Sequence, residues 1–474
     1  MEQIVNFNNK IVILGLGTTS RCLVDVIDRH IKCPLENITI LEPGEASDKD
    51  FELIQKKGFH YAVCQKLTKS NFKQELEDYL TEGALFVNLT CSVDSICLME
   101  LVHSKGMMYV DTSFEIWDEE QVDEIEDMRH QTLYALHGRA RDISKDWLSG
   151  GPTAITNHGA NPGVVNHFAK AALVELSREL GILRQIPINS QQWAALARDC
   201  SVKVIHINER DTQVARDPKP VDEFRNTWSP VAFMDEASSP VEVGWGTHEN
   251  KFPKDARQHQ EGKGNALYFN RCGGEVFTKS WLPQAGQIHG YLMPHSECVT
   301  LSDYFTLHDG EDVIYRPTVQ FTYLPAPDAL VSLHEYVMRD YKPPAKTNVM
   351  NTEIVAGADE LGVLLLGHDK QAFWYGSRVD IHQARKVVPG HNATTMQVVG
   401  GLVSAIVWCL KNPNQGYCET ESLPYQEMLA IAEPYISPIF QSFCDWTPNS
   451  SKTGVSGGEG VQDPWQFNSF LVGH

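Results

Sequence analysis

Short apolar runs alternate with amphipathic stretches through the first 160 residues. The run Ile11–Leu14 reads as a buried strand that ends in the turn Gly15-Leu16-Gly17. A second strand, 37–41, ends in Glu42, and His60–Cys64 reads as a third, with the polar, helix-type stretch Asp48–Lys57 between them. Residues 68–81 open with a cap at Thr68 or Ser70 and set Phe72, Leu76 and Leu80 at helical spacing. Strand 84–89, helix 93–105 and strand 107–111 continue the alternation, with Thr112 behind the last strand. An acidic and then helical stretch, 115–147, leads to a short strand at 154–156 and to the loop Gly159-Ala160-Asn161-Pro162-Gly163. Helix 164–180 follows, with Val165, Phe168, Leu173, Leu176 and Leu180 on one side. Strands and helices joined in this way predict a Rossmann-type doubly wound parallel sheet, an α/β fold over residues 1–160.

Ligands of such sheets lie beyond the carboxyl ends of the strands. Gly15, Gly17, Thr18, Thr19, Glu42, Leu67, Asn88, Thr90, Asp111 and Thr112 are therefore expected along one crevice, with Ala160, Asn161 and Pro162 at its far end. Taken singly, each is an ordinary polar or small residue at a strand end. Together they describe a nucleotide site, in which glycines let the backbone approach a pyrophosphate and a helix N-terminus faces it. Glu42 stands at the interval expected of a ribose-binding acid.

From about 200 to 385 the pattern changes. Runs at 202–207, 287–293, 298–301, 318–323 and 362–366 are strand-like, and the loops between them are rich in Gly, Pro, Trp and Asn. A second α+β domain, 161–389, with a large mixed or antiparallel sheet is predicted, with one helix at 326–338. Residues 393–410 are apolar nearly all round, which reads as a buried helix rather than a membrane span. Segment 390–474 is expected to pack back on the nucleotide domain, and 451–461 to lack order.

The 474 residues exceed one ordinary core, which agrees with two domains. The first ten residues do not read as a signal peptide, and no membrane association is expected. Eleven cysteines without CxxC spacing argue against a disulfide framework and a structural metal, and hence for a cytoplasmic, reducing setting. A net charge of −21 excludes nucleic acid as an expected partner and, beyond keeping the chain soluble, concentrates cationic ligands.

Polar groups that a strand-rich apolar domain does not need are the informative ones. Glu209-Arg210-Asp211 is expected after strand 202–207 and Asp359-Glu360 before strand 362–366, while Asn226-Thr227-Trp228-Ser229 follows a charged loop, Asp235-Glu236 comes shortly after, and His295-Ser296-Glu297 interrupts an apolar run. Any one of these is most simply a paired or solvated residue. Grouped at strand ends, they make a pocket of several carboxylates with an indole, which suits a flexible polycation. Each ammonium takes an anion, and a desolvated tryptophan face adds about 1–2 kcal/mol of cation–π stabilisation. Removing hydride from a carbon that bears nitrogen also requires a neutral amine, so a His or Glu must first take its proton.

The strings GANPG, HINERDTQ, FRNTWS, VEVGWGTHE, SLHE, DELGVLL, NATTMQV and DPWQF together resemble bacterial homospermidine synthases, from about residue 8 onward. That family is similar in fold to the saccharopine dehydrogenases. The resemblance implies condensation of two putrescines to homospermidine with loss of ammonia, by a hydride loan to and from tightly held NAD, in a homodimer. By position it implies a site of Glu115, Asn161, Glu209, Trp228, Glu236, His295 and Asp359. Trp228 would stabilise the cationic intermediate, while Glu209 and His295 would handle protons and the central nitrogen. Glu115 and Glu236 would receive ammonium at the outer end and Asp359 at the inner end, with Glu360 next to it as the alternative. Spermidine or 1,3-diaminopropane in place of one putrescine is left open. A saccharopine- or carboxynorspermidine-type dehydrogenase, and a nucleotide-sensing protein on the same fold, are the competing readings. Three positions depart from the pattern: Ser20 replaces a third glycine, Glu42 the usual ribose Asp, and Ser92 an acid expected after the fourth strand.

Overall fold

The computed structural model describes residues 5–44, 48–118, 129–147, 150–449 and 463–473; the stretch 451–461 lies outside them. The chain forms two compact units. The first comprises Met1–Gln131, Ala135–Val164 and His382–Ile436, and the second Thr132–Tyr134, Val165–Ile381 and Ser437–His474.

Among the described residues, the first unit holds a seven-stranded sheet whose pairings are all parallel. Strands β1 (Ile11–Leu14), β2 (Ile38–Pro43), β3 (His60–Cys64), β4 (Leu85–Asn88), β5 (Met108–Asp111) and β6 (Ala154–Ile155) lie in the order β3-β2-β1-β4-β5-β6, and Tyr417–Cys418 adds an edge beside β6. Every side chain of β1 is buried, as expected of a strand with helices over both faces. The chain runs outward from β1 to β3 and then returns to the other side of β1 at β4, so the crevice of the fold opens between β1 and β4. Helix α1 (Thr18–Val26) follows β1, α2 (Asp48–Lys57) follows β2, and α3 (Ser95–Ser104) starts on an Asp94 cap that accepts from the Cys97 N–H at 2.7 Å. The helix expected over 68–81 is shorter, Phe72–Leu76 with a tight turn at Glu77–Tyr79.

The apolar helix Ala393–Lys411 belongs to this unit and is buried along nearly its whole length, although its length and hydropathy would suit a bilayer. Two glycines fit it there. A Cβ at Gly400 would press on Tyr435, and one at Gly401 would collide with the Gly159 carbonyl. The chain beyond Ser437, expected with the nucleotide domain, belongs instead to the second unit. Its strand Ile439–Cys444 pairs along Ala372–Asp380, and Phe467 and Leu471 enter that unit's core.

The second unit is built on a ten-stranded mixed sheet, counted among the described residues. Helix α4 (Val164–Glu179) leads into it. Its strands are β7 (Val204–Asp211), β9 (Pro240–Gly244), β10 (Ala266–Cys272), β11 (Phe277–Leu282), β12 (Gly286–Met293), β13 (Thr318–Leu324), β14 (Ala358–Leu366), β15 (Ala372–Asp380) and β16 (Ile439–Cys444), with Ala256–Gln258 outside β10. β8 (Glu223–Asn226) pairs separately with Lys346–Val349. β7 is central, parallel to β13 on one side and antiparallel to β14 on the other. Helices α5 (Pro230–Ser238), α6 (Ser296–Tyr304) and α7 (Pro327–Met338) also belong to the unit, as do the helices Ser190–Asp199 and Phe467–Phe470.

Three expectations change here. Residues 298–301, expected as a strand, lie in α6, which is buried on every side from Ser296 to Ser302 and so shows no helical alternation. Glu209-Arg210-Asp211 lies within β7 rather than after it, and Asp359-Glu360 within β14 rather than before it. Charged residues had ended both strands in the reading of the pattern, but the sheet carries them along its face.

Candidate active site

In the first unit the strand ends converge as the pattern required. Gly15 takes a positive φ of 89°, and a side chain there would strike Thr90 and the Leu89 carbonyl on the loop after β4. Around Gly17 there is open space, and it precedes α1 with no side chain capping the helix. The first N–H groups of α1 are thus available to an anion. Thr18 lies 3.5 Å from Thr395 Oγ1, at the start of the long helix. Glu42, at the end of β2, accepts from the Leu16 N–H, and its Oε2 is buried without a hydrogen-bond partner. Burial lifts its pKa above the ordinary value, so a pair of ribose hydroxyls would relieve it. Together, an open glycine, an uncapped helix and an orphaned acid fit a dinucleotide. Ser20, in place of the third glycine, is fully buried with its hydroxyl unpartnered.

The other strand-end residues hold the crevice in shape. The Asn88 amide donates to Tyr109 at 3.2 Å and accepts from the Thr90 hydroxyl at 2.7 Å. Asp111 accepts from the Asn157 N–H at 2.7 Å, and burial, against that bond, pushes its pKa to about 8. Leu67 is buried in the loop after β3. Glu115 takes the Ser113 hydroxyl at 3.0 Å, and its own N–H donates to Ser95 at 2.9 Å, so it stands at the start of α3. The Ser92 N–H points at the Glu115 carboxylate from 3.5 Å. In the Gly159–Gly163 loop, the Gly159 N–H donates to Pro162 at 2.7 Å and the Gly159 carbonyl accepts from Val164 at 3.0 Å. The loop lies against the long helix at Gly401, whose carbonyl accepts from the His158 ring at 3.1 Å, and Thr112 packs beside Gly159. Ala160 is buried, while Asn161 and Pro162 are half-buried.

The second unit holds Glu209, Trp228, Glu236, His295 and Asp359. Register sorts its carboxylates. Glu209 pairs with Tyr323 across to β13, and Asp211 pairs with Asp359 across to β14, so these four share one sheet face. Glu360 falls on the opposite face, between Arg210 at 3.1 Å and Arg378 at 3.2 Å. Asp211 accepts from Thr227 at 2.6 Å and from the Gln213 amide at 3.0 Å, and so ties the segment before Trp228 to the sheet. Trp228 donates its indole N–H to the Tyr323 hydroxyl at 3.1 Å and tilts against Phe233, with 5.3 Å between ring centres.

Ser229 caps α5, and Glu236, on that helix, lies 3.4 Å from His295 Nε2. His295 precedes α6, and its Nδ1 lies 3.2 Å from Glu297 on that helix. Burial opposes a charge on this ring, but Glu297 and Glu236 outweigh it and hold its pKa well above the usual value. Tyr323 is not singled out by the sequence pattern, and Glu297 is grouped with His295 but given no role of its own. The alternation of Phe321 and Tyr323 along one strand was the available signal for the first, and the i, i+2 spacing of Glu297 from His295 for the second.

A family model described as the saccharopine dehydrogenase C-terminal domain matches residues 159–440, and one described as the saccharopine dehydrogenase NADP binding domain matches 11–155. The chain is 38% identical over 470 residues to a homospermidine synthase of Mesorhizobium japonicum, covering 98% of this chain and 96% of that one. It is 37% identical over 467 residues to a homospermidine synthase of Blastochloris viridis, covering 98% and 97%. Among solved structures, a homospermidine synthase from Legionella pneumophila in complex with NAD matches with a TM-score of 0.92 and 35% identity, over 99% of both chains.

Proposed function

The chain belongs to the homospermidine synthase family, and from that premise we propose that it condenses two putrescines into homospermidine with release of ammonia, using NAD. The observation that carries this reading is the face of the second sheet. Buried Glu209 and Asp359 share it with Tyr323, which holds the indole of Trp228, a surround made for a flexible dication.

The first unit's residues would hold NAD. Gly15, Gly17, Thr18 and Thr19 would receive the pyrophosphate and Glu42 the adenosine ribose; a carboxylate there repels a 2′-phosphate. When bound, NAD supplies a hydride acceptor that becomes the hydride donor. All else falls to side chains. Glu209 takes the proton that makes an amine neutral. His295, whose flanking carboxylates raise its pKa, serves as a proton donor. Asp359 anchors the inner ammonium, Glu236 receives the outer one, and the Trp228 face stabilises the cationic imine.

Putrescine and NAD given to the protein should yield homospermidine and ammonia without accumulating NADH. Stoichiometric NADH with no condensed amine would favour a saccharopine- or carboxynorspermidine-type dehydrogenase instead. Label carried by deuterated putrescine should return to the product carbon. Trp228→Ala should keep NAD binding and lose synthase activity about thirtyfold, as about 2 kcal/mol of desolvated cation–π stabilisation is removed; normal turnover in that variant would sink the reading. The family resemblance supports a homodimer, checked by sedimentation. Eleven cysteines, all free thiols, support a cytoplasmic location. Assays with spermidine or 1,3-diaminopropane replacing one putrescine define the chain-length tolerance.

A further inference from the structure

Trp228 sits between the end of β8 and the start of α5, where an indole has two side-chain torsions to settle. Contact with Phe233 restricts the ring but leaves its direction open, since aromatic contacts tolerate a range of tilts. The one directional contact described for the ring is the N–H bond to Tyr323 at 3.1 Å. Tyr323 is itself immobile: it is 1% exposed, stacks on Phe321 at 5.7 Å and meets the edge of Phe233 at 5.5 Å. Its backbone is paired with Glu209 on one side and Tyr291 on the other.

We propose that Tyr323 is a positioning residue for the reaction, its hydroxyl oxygen fixing the plane in which Trp228 presents its ring face to the cationic centre. This rests on the role given to Trp228 above. An indole that donates its N–H to an oxygen also gains electron density on its ring, which strengthens its hold on a cation. The oxygen is supplied by a neutral phenol, because burial and the charges of Glu209, Asp211 and Asp359 hold the Tyr323 pKa well above its usual value. A phenylalanine here would keep the packing and remove the direction.

The test is a double-mutant cycle on the NAD-loaded enzyme with putrescine. In Tyr323→Phe, kcat and kcat/KM should fall together about tenfold, or 1.36 kcal/mol, with KM nearly unchanged, as for a contact used in the transition state. Trp228→Phe keeps a ring and has no N–H, so adding Tyr323→Phe to it should cost less than about twofold more. A second measurement does not depend on the reaction. In protein labelled with 15N-tryptophan, the Trp228 indole N–H signal, assigned by its loss in Trp228→Phe, should move upfield in Tyr323→Phe. Equal losses in both backgrounds, an unmoved indole signal, or a Tyr323→Phe chain that does not fold would each overturn the proposal. Absence of homospermidine with the wild-type protein would instead overturn the reaction, and the indole signal would still decide the role of Tyr323.

Discussion

The two units display functional groups in opposite ways. In the first, the strands β1, β4, β5 and β6 are buried on both sides, so their chemistry can appear only where they stop, and much of it is backbone: the bare start of α1 and the bend at Gly15. In the second, one sheet face carries Glu209, Asp211, Asp359 and Tyr323 as paired members of the ladder, and the chemistry is all side chain. A site made of strand ends tolerates changes of side chain because glycine and N–H groups do the binding. A site made of a strand face depends on each carboxylate and on which face it occupies.

The sharpest way to break this contrast is Glu209→Gln. Loss of a general base lowers the rate about 10²–10⁴-fold, and NAD binding should stay as it was; stopped-flow turnover and NAD titration measure the two separately. If NAD affinity fell with the rate, the division of labour would be wrong.

A smaller effect tests the foundations of the second unit. Glu249 accepts from the Phe467 N–H at 3.0 Å and from Thr318 at 2.6 Å, and burial raises its pKa from 4.5 to about 7. A folded pKa above the unfolded one means that the stabilisation is present below about pH 4.5 and is lost as pH rises through about 7, on the order of 3 kcal/mol in all. Urea midpoints measured from pH 5 to 8 should fall less steeply in Glu249→Gln than in the wild type, and parallel slopes would remove Glu249 from the account.

The smallest expected change is in the first unit. Glu42→Gln removes one charged acceptor from a set dominated by backbone, so NAD should weaken only about tenfold, the loss of one hydrogen bond to a charged group, while NADP gains. Calorimetric titration with both nucleotides checks it, and a thousandfold loss would show that this crevice, too, depends on a single side chain.

The same contrast governs what could be read in advance. Alternating apolar runs with polar ends announced β1 to β6 and their order of chemistry, because buried parallel strands and strand-end ligands both write themselves into local pattern. Acids paired inside a ladder do the reverse. Glu209 and Asp359 looked like the ends of strands, since nothing local says that β7 and β14 run on through them. Whether Asp359 or Glu360 faces the site is a matter of register with β7, a pairing of residues some 150 positions apart that adjacent sequence does not encode. Helix α6 was hidden by complete burial, which erases periodicity. The placement of 437–474 was missed for a related reason: an edge strand of six residues, none of them fully buried, carries little information about which sheet it joins.

That last placement has a consequence for how the protein is made. Chain segments of the two units are interleaved, so the first unit needs 382–436 and the second needs 437–473. On a ribosome, where domains ordinarily fold in the order in which they emerge, neither unit can close while the first 381 residues are being translated. The nucleotide-binding unit must wait for its long glycine-bearing helix until Lys411 has been synthesised. Folding here is therefore deferred, and residues 1–381 stay exposed to chaperones and proteases until the segments that complete each unit have been made.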